Sequence, residues 1–123
     1  MRRIALVEDN PDNRLLVQAI LEDAYEVLEF ASGQEAIAGL VDAAPDLVLL
    51  DISLPGMDGT DVLTWLRGQP SLATCPVVAL TAHAMAGDRE KYLAAGFDDY
   101  VTNPIVDEEI LFSALRRWLS PTD

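Results

Sequence analysis

Five short apolar runs, each followed by a longer stretch of helical period, constrain this 123-residue chain more than any other feature. The runs are Arg3 to Val7, Tyr25 to Phe30, Asp46 to Leu50, Pro76 to Leu80 and Asp99 to Thr102. Their length suits strands, and strands alternating with helical segments specify a parallel sheet with crossover helices. The first, third and fourth runs are almost wholly aliphatic, as central strands covered on both faces must be. Glu26 and Glu29 in the second and Asp99 in the fifth assign those two to the edges.

The helices are marked by their starts and stops. Pro11 suits the first turn of a helix reaching about Asp23, with Asn10 as its cap and Leu15, Leu16, Ala19 and Ile20 as its apolar stripe. Ser32-Gly33-Gln34-Glu35 is a capping box ahead of Ala36, Ile37 and Leu40. A third helix begins near Asp58 or Gly59, carries Val62, Leu63 and Leu66, and ends before Gly68 and Pro70. A fourth runs from about Ala84 to Ala95, where Gly96 suits a left-handed cap, and a fifth from about Asp107 to Leu119 carries Ile110, Leu111, Ala114, Leu115 and Trp118. With no repeat or linker, residues 1–123 are expected to form one domain, an α/β flavodoxin-like doubly wound sheet of five parallel strands in the order 2-1-3-4-5 with five helices. Ligands of such sheets bind outside the carboxyl ends of the strands at the switch point, here Glu8-Asp9 and Asp51.

Eight Lys and Arg against 21 Asp and Glu leave a net charge of −13. A surface so negative repels phosphates, so neither nucleic acid nor an anionic membrane is expected as a direct partner. The apolar run after Met1-Arg2-Arg3 stops at Glu8-Asp9, short of a signal sequence or of a span of about 20 residues. Cys75 is the only cysteine, which excludes an intramolecular disulfide and a cysteine-based metal cluster. A cytoplasmic location is expected on these grounds.

Carboxylates gathered in one crevice must take up protons or share a cation. Oxygen-only ligands of high charge favour a hard divalent ion such as Mg²⁺. A carboxylate can also act as nucleophile toward phosphorus, giving an aspartyl-phosphate. The pattern therefore points to phosphoryl chemistry at Asp51.

Four blocks carry a family resemblance: Val7-Glu8-Asp9-Asn10, Leu49 to Gly59, Leu80-Thr81-Ala82-His83-Ala84 and Asp99 to Pro104. Together they resemble the receiver domains of bacterial two-component response regulators, whether single-domain, chemotaxis-regulator-like proteins or parts of hybrid histidine kinases. The resemblance implies that Asp51 is the phosphoacceptor, charged by a phosphohistidine on a sensor histidine kinase or a histidine phosphotransfer protein. It implies Mg²⁺ held by Glu8, Asp9, Asp51 and the backbone carbonyl of Ser53. Thr81 would place its hydroxyl on the phosphoryl group, and Tyr100 would change rotamer with it. The face of the fourth helix, fifth strand and fifth helix would meet a downstream protein. Such a chain would be a signalling phosphoacceptor that assists its own phosphorylation and dephosphorylation, not an enzyme acting on a separate substrate.

One position departs from the pattern. The family has a lysine before the proline matching Pro104, and this chain has Asn103, which offers an amide but no counter-charge. Asn103 supports an alternative, a pseudo-receiver that binds partners without phosphorylation. The intact Glu8, Asp9, Asp51 and Thr81 weigh against it. A flavin carrier of similar fold fits poorly, because Glu8-Asp9 would repel phosphate where such a carrier cradles it. Among the remaining residues, Asp58 reads as a helix cap and His83 as a loop or helix-start residue. Tyr100 has an ordinary edge-strand aromatic as its alternative reading, and Trp118 reads as core packing, with a partner face as its alternative.

Overall fold

The structure, a computed structural model, describes residues 2–54, 56–57, 59–81, 88–102 and 108–119. Its elements follow the expected alternation: β1 (Arg3–Val7), α1 (Pro11–Leu21), β2 (Glu26–Phe30), α2 (Gly33–Ala43), β3 (Leu47–Asp51), α3 (Gly59–Arg67), β4 (Val77–Thr81), α4 (Asp88–Ala95), β5 (Asp99–Thr102) and α5 (Glu108–Trp118). The strands form one parallel sheet in the order β2-β1-β3-β4-β5, as the flavodoxin-like reading requires. Strands β3 and β4 each start and end one residue later than the apolar runs suggested, so Asp51 and Thr81 are the last residues of their strands.

Alternation along the strands divides the core in two. Ala5, Val7, Val48, Leu50, Val77 and Ala79 face α2 and α3, together with Tyr92 of α4. Ile4, Leu6, Leu47, Leu49, Val78 and Leu80 face α1 and α5. Each strand side chain is thus committed to a face by its parity, a period of two that continues to the strand ends.

Local chemistry sets the helix starts. Asn10 Oδ1 accepts from the backbone N–H groups of Asp12 at 2.8 Å and Asn13 at 3.3 Å, and Ser32 Oγ accepts from Glu35 N–H at 3.1 Å. The Glu35 carboxylate reaches back to Ala31 N–H rather than to the cap residue itself. The phase that Asn10 imposes on α1 corrects the expected stripe. Val17 and Leu21 are buried with Ile20 packed beside them, whereas Leu15 is 69% exposed and Leu16 37%.

Two ionic clamps close the side of the sheet near β5. Arg67 at the end of α3 donates to the carbonyls of Ala73, Cys75 and Gly96 and pairs with Asp98 at 2.9 Å, while the same carboxylate oxygen of Asp98 accepts from Val77 N–H. One guanidinium thereby ties α3, β4 and the turn before β5 together. Asp99 is buried, and a buried carboxylate needs partners. It receives them from α5, in an ion pair with Arg117 and a hydrogen bond from the indole N–H of Trp118 at 3.0 Å. Trp118 is therefore a clamp at the protein surface rather than the core residue its spacing suggested, and Ile110 likewise stands half exposed. Cys75 is half-buried, and burial pushes its thiol up to about 11, which leaves it unreactive at neutral pH.

Gly59 allows α3 to begin against the backbone of Asp51. A Cβ there would lie 2.5 Å from the Asp51 carbonyl oxygen and 2.9 Å from Ile52 Cα. Gly59→Ala is therefore expected to cost about 1–3 kcal/mol of stability, the range for overpacking a tight site. Urea denaturation checks this, and an unchanged midpoint would contradict the close approach.

Candidate functional site

Glu8 and Asp51 meet because of parity and register. Glu8 continues the face of Ile4 and Leu6, Asp51 continues that of Leu47 and Leu49, and the β1–β3 register pairs Val7 with Leu50. The next step along both strands brings the two carboxylates side by side at the switch point. Asp9, one residue further, is exposed at the mouth. Oxygens of Glu8, Asp9 and Asp51 all lie within 4.8 Å of one another.

Hydrogen bonds from the described residues orient these groups. Glu8 is only 1% exposed, and both its oxygens are engaged by the start of α1, one by Asn10 N–H at 3.1 Å and the other by the Asn13 amide at 3.3 Å. Arg14 lends its guanidinium to the backbone carbonyls of Glu8 and Asp9 and pairs with Glu29, holding the β1–α1 loop in place. Ser53 N–H donates to Asp51 Oδ1 at 2.9 Å. Burial pushes the Asp51 carboxyl from 3.8 up to about 7, aided by its hydrogen bond with Glu8 and by the charges of Glu8 and Asp9, and opposed by the Ser53 N–H. The shift comes first from the loss of solvent around the carboxylate and only then from the neighbouring negative charge. Three oxygen donors of that charge at a solvent-facing mouth fit a hard divalent cation that retains waters, so the residues present suit Mg²⁺.

Thr81 ends β4 beside this cluster and is buried. Ile52 N–H donates to the Leu80 carbonyl at 3.0 Å, which fixes the end of β4 against the end of β3. The Thr81 hydroxyl shares a hydrogen bond of 2.9 Å with the hydroxyl of Tyr92 from α4. Tyr100 lies half-buried on β5, its ring 6.1 Å from that of Tyr92. Asn103, Pro104, His83 and Asp58 lie outside the described residues. Sequence reasoning did not single out Asn13, Gly59 as a close approach, or Tyr92. For Tyr92 a signal existed: Thr81 shares the parity of Val77 and Ala79, so its neighbours had to come from the face that α4 covers.

The comparisons agree with this geometry. A family model described as the response regulator receiver domain matches residues 4–116. The chain belongs to the response regulator receiver domains. This receiver is 42% identical over 120 residues to the sensor protein GacS of Pseudomonas syringae pv. syringae, covering 94% of the chain but only 13% of GacS. It is 38% identical over 105 residues to the polar-differentiation response regulator DivK of Brucella ovis, covering 85% of each. The receiver domain of a sensor histidine kinase from Pseudomonas aeruginosa, solved with a magnesium ion coordinated in its active site cleft, superposes with a TM-score of 0.85 at 37% identity over 95% of this chain and 96% of that one. The receiver is thus a phosphoacceptor domain of two-component phosphorelay signalling. Among the described residues, no helix is long and apolar enough to cross a membrane.

The raised Asp51 carboxyl has a definite sign. A carboxyl that binds its proton more tightly when folded stabilises the fold below its unfolded value near 4, and this contribution is lost as pH rises through about 7. In chelator, the wild type is therefore expected to melt at a lower temperature at pH 8 than at pH 6. Asp51→Asn is expected to melt above wild type at pH 8, by a margin that narrows at pH 6. Equal melting of the two proteins at both pH values would contradict the shift.

Proposed function

We propose that Asp51 is the phosphoacceptor, that Glu8, Asp9 and Asp51 with the backbone carbonyl of Ser53 hold Mg²⁺, and that Thr81 binds the phosphoryl group. The observation that carries this is the crowding of three carboxylate oxygens within 4.8 Å at the ends of the two central strands, with burial and its neighbours pushing the Asp51 carboxyl up to about 7. Two buried carboxylates beside a third at the mouth destabilise a domain unless they serve a charge that arrives later.

The proposed donor is a phosphohistidine on a sensor histidine kinase or histidine phosphotransfer protein. An oxygen of ionised Asp51 forms the new P–O bond as the P–N bond breaks, and the electron pair leaves on the imidazole, which then takes a proton from solvent. Bound Mg²⁺ supplies the positive charge that keeps Asp51 ionised and offsets the phosphoryl oxygens. Ser53 N–H fixes one Asp51 oxygen, while Asn10 and Asn13 keep Glu8 turned toward the site. The protein assists its own phosphorylation and dephosphorylation and passes the signal by contact, through the face of α4, β5 and α5. A cytoplasmic location follows from such donors.

Asn103 in place of the family's lysine removes one charge-assisted contact to the phosphoryl group, a loss of roughly 1.5–3 kcal/mol. Incubation with acetyl phosphate and intact-mass analysis test the reading. A Mg²⁺-dependent gain of one phosphoryl group is expected, absent in Asp51→Asn. Asn103→Lys is expected to accelerate the gain about ten- to hundredfold, the same free energy read as a rate. No gain in wild type alongside a gain in Asn103→Lys would overturn phosphorylation of this chain and leave the interaction module.

A further inference from the structure

Thr81 shares a hydrogen bond with Tyr92, a residue of α4. Tyr92 is 7% exposed, and its ring is wedged into the core below α4, edge-on to Phe97 at 6.3 Å and tilted against Tyr100 at 6.1 Å. From this packed position its hydroxyl meets Thr81 Oγ1 at 2.9 Å. The bond lies on the face shared by Val77 and Ala79, whereas Glu8 and Asp51 belong by parity to the opposite face, with Ile4, Leu6, Leu47 and Leu49.

We propose that Tyr92 is a positioning residue that competes with the phosphoryl group for the Thr81 hydroxyl. This rests on the reading of Asp51 as acceptor and Thr81 as phosphoryl ligand. Threonine is β-branched and confined to discrete χ1 wells, so a hydroxyl drawn to an oxygen on Asp51 leaves the Tyr92 oxygen. The resting bond holds Thr81 toward α4 and lowers the affinity of the site. Its rupture frees the Tyr92 hydroxyl, and with it the α4 contact to Tyr100. Occupancy is then read by α4 directly, with Tyr100 second in the chain rather than first.

Beryllofluoride with Mg²⁺, a phosphoryl mimic, tests this by calorimetric titration of wild type, Tyr92→Phe, Thr81→Ala and the double variant. Tyr92→Phe keeps the ring and removes only the hydroxyl. It is expected to bind about two- to tenfold more tightly than wild type, the range for one net hydrogen bond. In the Thr81→Ala background the same change is expected to have no effect, because the double-mutant cycle isolates the pair. Hydrogen exchange of the α4 amides is expected to change on binding in wild type and to be already shifted in unbound Tyr92→Phe. Unchanged or weaker binding by Tyr92→Phe, or equal tightening without Thr81, overturns the competition while leaving Asp51 as acceptor. Failure of wild type to bind beryllofluoride at all overturns the acceptor reading, and the proposal with it.

Discussion

Two carboxylates buried side by side at the ends of adjacent central strands impose the condition that the rest of this molecule answers. Glu8 and Asp51 cannot both be charged there without a proton or a cation between them, and Asp51 responds by holding its proton to about pH 7. An isolated domain gains nothing from that arrangement. It becomes useful when positive charge arrives, because the same crowding that disfavours the charged acceptor in its absence gathers oxygen ligands around the ion.

The scaffold keeps this frustrated site in place by satisfying almost everything around it. The start of α1 turns Glu8 with two hydrogen bonds, Gly59 lets α3 begin against the Asp51 backbone, and the Arg67 and Asp99 clamps fix the β4–β5 side. The two carboxylates and Thr81 therefore belong to different faces of the sheet. The carboxylates are held by β1, β3 and α1, while Thr81 looks the other way, into the packing of α4 and β5.

What was legible in the sequence follows from periodicity and punctuation. Strand-length aliphatic runs alternating with capped helical segments were enough for the order of elements, and the acidic strand ends for the three carboxylates that meet there, because side chains alternate between the two faces along every strand. Helix phase was less legible. Leu15 and Leu16 look like core residues until the Asn10 cap fixes the rotation of α1, and Trp118 looks apolar until buried Asp99 claims its indole N–H. Tyr92 was only half legible: the parity of Thr81 pointed to the face that α4 covers, but the contact itself, eleven residues away, is made by the packing of α4.

Burial and neighbouring charge disfavour ionised Asp51 in the resting protein, and a bound cation is expected to reverse this. The most direct measurement is the titration of the Asp51 carboxyl carbon by NMR, first in chelator and then with saturating Mg²⁺. A midpoint near pH 7 is expected, falling by several pH units when the ion is added. A midpoint near 4 in chelator, unmoved by Mg²⁺, would contradict it.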